Sequence, residues 1–295
     1  MNFSEYTLVS FGDSFTFGQD TVPKYDSHGH DDIRPIQKKY KSDCNKNSYT
    51  QFISDSLGFK NSINFGTMAG SNEKSLMLLE SFLRSNPTLK MFVLFNFTHS
   101  HRYMQFLKIN DEKKYELVDI TPVTPIKKGY YSGIDSKSID HNYTYFRNGI
   151  QDVYNHVKDR RMLYYMLSSY NVPYVTFDIL NDMDARILRD NPIKYIDSSN
   201  ISLDLTDGKP LDFLESYSQE LDTKSPLLTH LGIHLLRDYN YNNVNNIASW
   251  LLGKAKNVKN NAKYYMAERG QHWNIEGHHE VAKLIGDFIK KKYEN

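Results

Sequence analysis

Apolar positions along the first hundred residues fall into short runs separated by amphipathic stretches. Residues 6–11 form an apolar run that stops at Gly12-Asp13-Ser14, the pattern of a strand buried on both faces that ends in a loop. Tyr49, Phe52, Ile53 and Leu57 recur at helical spacing, and Gly58 follows as a stop. Residues 62–65 read as a second strand. Ser71-Asn72 then caps a helix whose apolar face is Leu76, Leu79, Phe82 and Leu83, ending before Pro87. Residues 90–97 form a third strand through Met91, Phe92, Val93, Leu94 and Phe95. Strands separated by helices predict a parallel α/β sheet.

Beyond this the pattern is less regular. Residues 103–109 and 115–120 flank the polar Asn110-Asp111-Glu112-Lys113-Lys114 and predict a β-hairpin. A helix is expected across 150–170 with Ile150, Val153, Val157, Leu163 and Leu167 inward, followed by a buried strand over 172–179 with Pro173 near its start. Residues 181–262, with an Asn-rich stretch over 240–246, read as a partly helical insertion, and 19–48 as a polar loop. A final amphipathic helix over 277–293 turns Val281, Leu284, Ile285, Phe288 and Ile289 inward, and Lys290-Lys291-Lys292 is its solvated, dipole-favoured end. The expected organisation is a core of 1–102 and 263–295, with 143–180 contributing a helix and a strand, plus a hairpin insertion at 103–142 and the second insertion at 181–262. The fold class is α/β, a three-layer α/β/α sandwich with a central, mostly parallel sheet.

Composition narrows the function classes. The chain has 295 residues, enough to bury a core without staples. Lys+Arg total 36 against 35 Asp+Glu, a formal charge of +1, so no general electrostatic grip on nucleic acid is expected. The lone cysteine, Cys44, excludes an internal disulfide framework and a Cys-rich zinc module. No apolar run approaches the ~20 residues of a membrane span. No basic-then-apolar leader opens the chain, so the product is expected to be cytoplasmic when synthesised, a virion-associated or exported component being left open. The 22 Tyr and 16 Phe suit a carbohydrate-facing surface, but Asn and Lys are just as widely spread, which points to a coding bias instead.

Two segments at opposite ends carry the chemistry. Phe11-Gly12-Asp13-Ser14-Phe15-Thr16-Phe17-Gly18 places a serine where parallel sheets gather their ligands. A free hydroxyl is a weak nucleophile and needs a base. Gln271-His272-Trp273-Asn274-Ile275-Glu276-Gly277-His278 offers one in a loop before the last helix. Together these motifs resemble the SGNH (GDSL-type) hydrolase superfamily, of which the chain looks like a divergent member. The resemblance implies a flavodoxin-like fold, Ser14 as nucleophile, His272 as base and no cofactor or metal. It also implies an oxyanion hole built from the Ser14 N–H, a glycine N–H and an asparagine side chain. Asn64-Phe65-Gly66-Thr67-Met68-Ala69-Gly70-Ser71-Asn72 looks like the glycine block. Family spacing from Asn64 falls on Ala69, but Gly70 is favoured because it tolerates an unusual φ. In Asn96-Phe97-Thr98-His99-Ser100-His101-Arg102, both Asn96 and Thr98 are candidates for the side-chain donor.

The chain departs from the family at the acid. Arg269 stands three residues before His272, where the family carries Asp, and an arginine cannot accept a hydrogen bond from an imidazole. Glu268 and Asp178 are the candidate replacements, with a backbone carbonyl and a Ser–His dyad as the third option. Asp13, His99 and His101 are expected around the substrate, and His278 is expected to be structural. Ser27-His28-Gly29-His30-Asp31-Asp32 has part of a dinuclear metal spacing, but Ile33 stands where the last ligand belongs, so a surface loop is expected and a metal hydrolase is the third-ranked class. The favoured function is a serine esterase acting on a small-molecule or glycan ester, O-acetyl included. The alternative is a weak or inactive binding or assembly protein on the same fold, a virion or surface component for example.

Overall fold

A computed structural model describes residues 1–22, 34–98, 102–109, 114–120, 149–179, 194–196, 202–204 and 272–294, with the single positions 137, 247, 251 and 264. Four strands form a parallel sheet: β1 (Thr7–Phe11), β2 (Asn61–Asn64), β3 (Met91–Phe97) and β6 (Tyr174–Asp178), in the order β2-β1-β3-β6. The strands between them in sequence, β4 (Tyr103–Lys108) and β5 (Tyr115–Ile120), pair antiparallel as the expected hairpin and stand outside this sheet.

The helices are α1 (Ser14–Phe17), α2 (Arg34–Lys46), α3 (Tyr49–Leu57), α4 (Asn72–Ser85), α5 (Gly149–Ser169) and α6 (Ile275–Tyr293). Period-two alternation along the buried strands divides the core into two layers. Leu8, Phe92, Leu94, Val175 and Phe177 face Tyr49 and Ile53 of α3 and Val281, Leu284, Ile285, Phe288 and Ile289 of α6. Val9, Phe11, Val93, Phe95 and Phe97 face Leu76, Leu79 and Leu83 of α4 and Leu163 and Leu167 of α5. The architecture is therefore the expected three-layer α/β/α sandwich. Each fully buried Leu, Ile or Phe contributes roughly 1.5–3 kcal/mol before entropy is subtracted.

Two features differ from the sequence expectation. Much of the 19–48 segment is helical: α2 carries Ile36, Tyr40 and Cys44 four residues apart, a narrow stripe diluted by four lysines, and Pro35 sits in its first turn, where its missing N–H is harmless. Within 181–262 the described residues include a short antiparallel pair, β7 (Lys194–Ile196) and β8 (Ser202–Asp204). Ile247 and Leu251, both helical and fully buried, join the α3–α6 layer. The side chains expected inward at Ile150, Val153 and Val157 lie outside the described residues.

Because all four core strands run the same way, their carboxyl ends share one edge. Gly12-Asp13-Ser14, the loop after Asn64, Thr98 and Ile179 all emerge there.

Candidate active site

Ser14 follows a turn that only glycine fits. Gly12 has φ +154°, and a Cβ there would lie 2.3 Å from Thr16 Oγ1 and 2.9 Å from Asn96 Cβ. Asp13 caps α1 by accepting from the Phe15 N–H at 3.1 Å, which starts the helix at Ser14. The loop after β2 lies directly on α1: a Cβ at Gly66 would meet Phe17 N at 2.3 Å, Asn64 Nδ2 donates to Thr16 O at 2.6 Å, and Thr67 N–H donates to Gly12 O at 3.0 Å.

His272 is brought from the far end of the chain by its neighbour. Trp273 is fully buried, its ring 4.6 Å from that of Phe15 and 6.4 Å from that of Tyr49. Asn274 then caps α6 by accepting from the Gly277 N–H at 2.9 Å. With the chain anchored directly after it, His272 Nε2 sits 3.0 Å from Ser14 Oγ across 258 residues of sequence. Its ring packs 5.2 Å from that of Phe15, and its side chain retains 17% exposure, enough for a ligand to reach it.

The other imidazole nitrogen faces a carboxylate. His272 Nδ1 is 2.9 Å from Asp20 Oδ2, and the Asp20 side chain is nearly buried. Asp20 adopts a left-handed φ of +66°, which Asp tolerates better than most side chains. Asp20 was not among the candidates for the acid read from the sequence. Glu268 lies outside the described residues, as do Arg269 and the Asp178 side chain, and the position facing Nδ1 is held by Asp20. Asp20 stands six residues after Ser14 and two after Gly18, a spacing that by itself carries no signal.

Asp13 is a fully buried hub rather than a substrate contact. Its Oδ1 accepts from Phe15 N–H and from Asn96 Nδ2 at 3.0 Å; its Oδ2 accepts from Thr98 Oγ1 at 2.9 Å and lies 3.6 Å from Arg102 Nη1. The same hub holds Asn96 and Thr98, the side chains expected from the sequence as oxyanion donors. Asn96 Oδ1 accepts from Ile179 N–H at 3.2 Å, and Thr98 Oγ1 accepts from Arg102 at 2.9 Å, so both side chains are engaged in the hub. The N–H of Gly70, the expected backbone donor, is likewise engaged, donating to Thr67 O at 3.1 Å. Its neighbour Ala69 has the left-handed backbone, φ +54°, and is exposed. Among the described residues the N–H groups of Ser14 and Ala69 carry no hydrogen bond.

His278 is structural in position. It is fully buried, stacks on Tyr49 at 10°, and its Nδ1 accepts from Tyr49 N–H at 3.1 Å at the start of α3. Burial pushes its pKa down to about 3. Asn72, read from the sequence only as part of a helix cap, accepts from Thr98 N–H at 2.8 Å and donates to Thr98 O at 3.3 Å, which pins the end of β3 to α4. His99, His101, His28, His30 and Asp32 lie outside the described residues. Among the described residues no three metal-ligating side chains gather, and no helix is long and apolar enough to cross a membrane.

No family model matches the chain, and no curated protein matches it. It is similar to several solved structures. One is the acetyl xylan esterase AlAXEase, with TM-score 0.41 and 15% identity, over 96% of this chain and 99% of that one. Another is a member of the lipolytic protein G-D-S-L family from Veillonella parvula DSM 2008, with TM-score 0.39 and 13% identity, over 98% and 99%. The psychrotrophic esterase EstA from Pseudoalteromonas sp. matches with TM-score 0.41 and 10% identity, over 98% and 99%.

Proposed function

We propose that this chain is a serine esterase of the SGNH type, with Ser14 as nucleophile and His272 as base. The observation that carries the reading is the 3.0 Å approach of His272 Nε2 to Ser14 Oγ at the carboxyl edge of the sheet. Nε2 takes the hydroxyl proton as Oγ attacks the ester carbonyl. The oxyanion that forms is received by the N–H groups of Ser14 and Ala69, two donors without a partner among the described residues. The tetrahedral adduct collapses, the proton on Nε2 passes to the departing alkoxide, and the acyl group remains on Ser14. Water then gives a proton to Nε2 and attacks the acyl carbonyl. The second adduct collapses, the same proton returns to Oγ, and the carboxylic acid is released.

The acyl group in this reading is small, acetyl on a glycan being one example, because the sequence carries no run apolar enough for a long acyl groove. The test is turnover of short-chain p-nitrophenyl esters by wild type, S14A and H272A, with a fluorophosphonate probe to map the reactive serine. Losses of roughly 10⁴- to 10⁶-fold in kcat for both variants are expected, with the label on Ser14. Equal turnover by wild type and S14A would overturn the reading. A wild-type protein that hydrolyses no ester, takes no label and binds glycans would favour the binding protein instead.

A further inference from the structure

An imidazole that accepts a proton at Nε2 must carry its own proton at Nδ1, and something must hold it there. We infer that Asp20, delivered by the turn after the nucleophile helix and braced by α2, is the acidic positioning residue of this site. The inference rests on the Ser14–His272 reading and adds the origin of its acid.

Three observations converge. First, Asp20 Oδ2 lies 2.9 Å from His272 Nδ1, and among the described residues no other carboxylate contacts this ring. Both side chains are largely shielded, so the field of the carboxylate is little screened. Second, Asp20 holds a left-handed backbone, φ +66°, and the turn that carries it is built to keep it so. Asp20 N–H donates to the Tyr40 hydroxyl at 3.3 Å; Thr21 Oγ1 donates to Gly18 O at 2.7 Å and reaches Cys44 O at 3.5 Å. A Cβ at Gly18 would lie 2.6 Å from Cys44 O, so turn and helix are in direct contact. Burial opposes ionisation of Tyr40, which remains a neutral hydroxyl able to accept from the turn. Third, Arg269 occupies the local position upstream of the base and cannot accept from an imidazole.

During attack the Ser14 proton moves to Nε2, the ring becomes an imidazolium, and Asp20 stays a carboxylate that accepts the Nδ1 proton throughout. Serine and acid thus come from the first twenty residues, and α2, absent from the sequence expectation, is what aims the acid.

Two readouts test this. D20N should lower kcat about 10⁴-fold with KM within a few-fold, because a carboxamide can donate to Nδ1 and select the wrong tautomer. D20E should restore part of the rate, and Y40F should lower kcat by up to about tenfold, the worth of one neutral hydrogen bond. Independently of turnover, a far-downfield proton resonance from the imidazole–carboxylate pair should appear in wild type and S14A and be absent from D20N. Wild-type kcat in D20N, or the same resonance in D20N, overturns the assignment of Asp20 while leaving Ser14 and His272 in place. Full activity in S14A would instead overturn the reading beneath it. Should D20N fail to fold, absence of the downfield resonance from wild type is by itself enough to overturn the assignment.

Discussion

Removing the counter-charge from Asp13 is expected to destabilise the fold more than most single substitutions. Asp13 has no exposure and four partners: Phe15 N–H, Asn96, Thr98 and Arg102. In R102M the three neutral donors remain, but a buried carboxylate loses the one cation beside it among the described residues. Breaking such a pair from one side costs about 3–5 kcal/mol; Arg102 keeps 15% exposure, so water relieves part of it and about 3 kcal/mol is expected. D13N turns an amide toward a Thr98 hydroxyl that already accepts from Arg102, and it strands the guanidinium; about 2–3 kcal/mol follows. In D13N/R102M both charges are gone, so the double variant should be more stable than the two losses added together, with a coupling of about 1–3 kcal/mol. Urea unfolding followed by tryptophan fluorescence measures all three. With a slope near the upper end for single domains, about 3 kcal/mol/M, R102M should unfold about 1 M earlier than wild type. Additivity within about 0.5 kcal/mol would refute the claim that Asp13 and Arg102 act as a pair.

Two further perturbations test neighbouring parts of the fold. Asp119 of the hairpin accepts from Ser71 N–H at 3.1 Å, Ser71 Oγ at 2.7 Å and Lys74 Nζ at 2.6 Å. D119A should cost about 2–3 kcal/mol, chiefly from the Ser71 donors since Lys74 is more than a third exposed, and D119N less. Because Ala69 lies two residues before Ser71, D119A should also lower ester turnover; an unchanged melting curve and unchanged kcat would refute the link. His278 has a native pKa of about 3 against an ordinary 6.5, so the unfolded chain binds more protons between these values. Its contribution is fully present above pH 6.5 and is lost as pH falls toward 3, up to roughly 2.7 kcal/mol between pH 6.5 and 4.5. Urea midpoints at several pH values should show this slope in wild type and lose it in H278N; the same slope in both would refute the assignment.

The parallel core was legible because both of its layers write a periodicity into the chain. The runs through Leu8–Val9 and Phe92–Phe95 alternate between two buried faces, and Leu76, Leu79 and Leu83 repeat at helical spacing. The turn before Ser14 and the cap after His272 were legible because Gly12, Asp13, Asn274 and Gly277 are demanded by local geometry. The placement of Asp20 was not. Nothing local in Gly18-Gln19-Asp20 marks a carboxylate that will meet an imidazole 252 residues away. The helix that braces it shows only three apolar positions among charges. The engagement of Asn96 and Thr98 was hidden for another reason: their residue types suit an oxyanion, and nothing local shows that both donate to the buried Asp13.

The wedge of Trp273 between Phe15 and Tyr49 has a bearing on inactivation. The indole adjoining His272 and the phenyl adjoining Ser14 belong to the same interior as the strands. Fraying of outlying segments therefore leaves Ser14 and His272 together, and they separate only when that interior melts. Heat should silence the protein in step with cooperative collapse of the whole, so that residual turnover serves as a gauge of how many molecules are still folded.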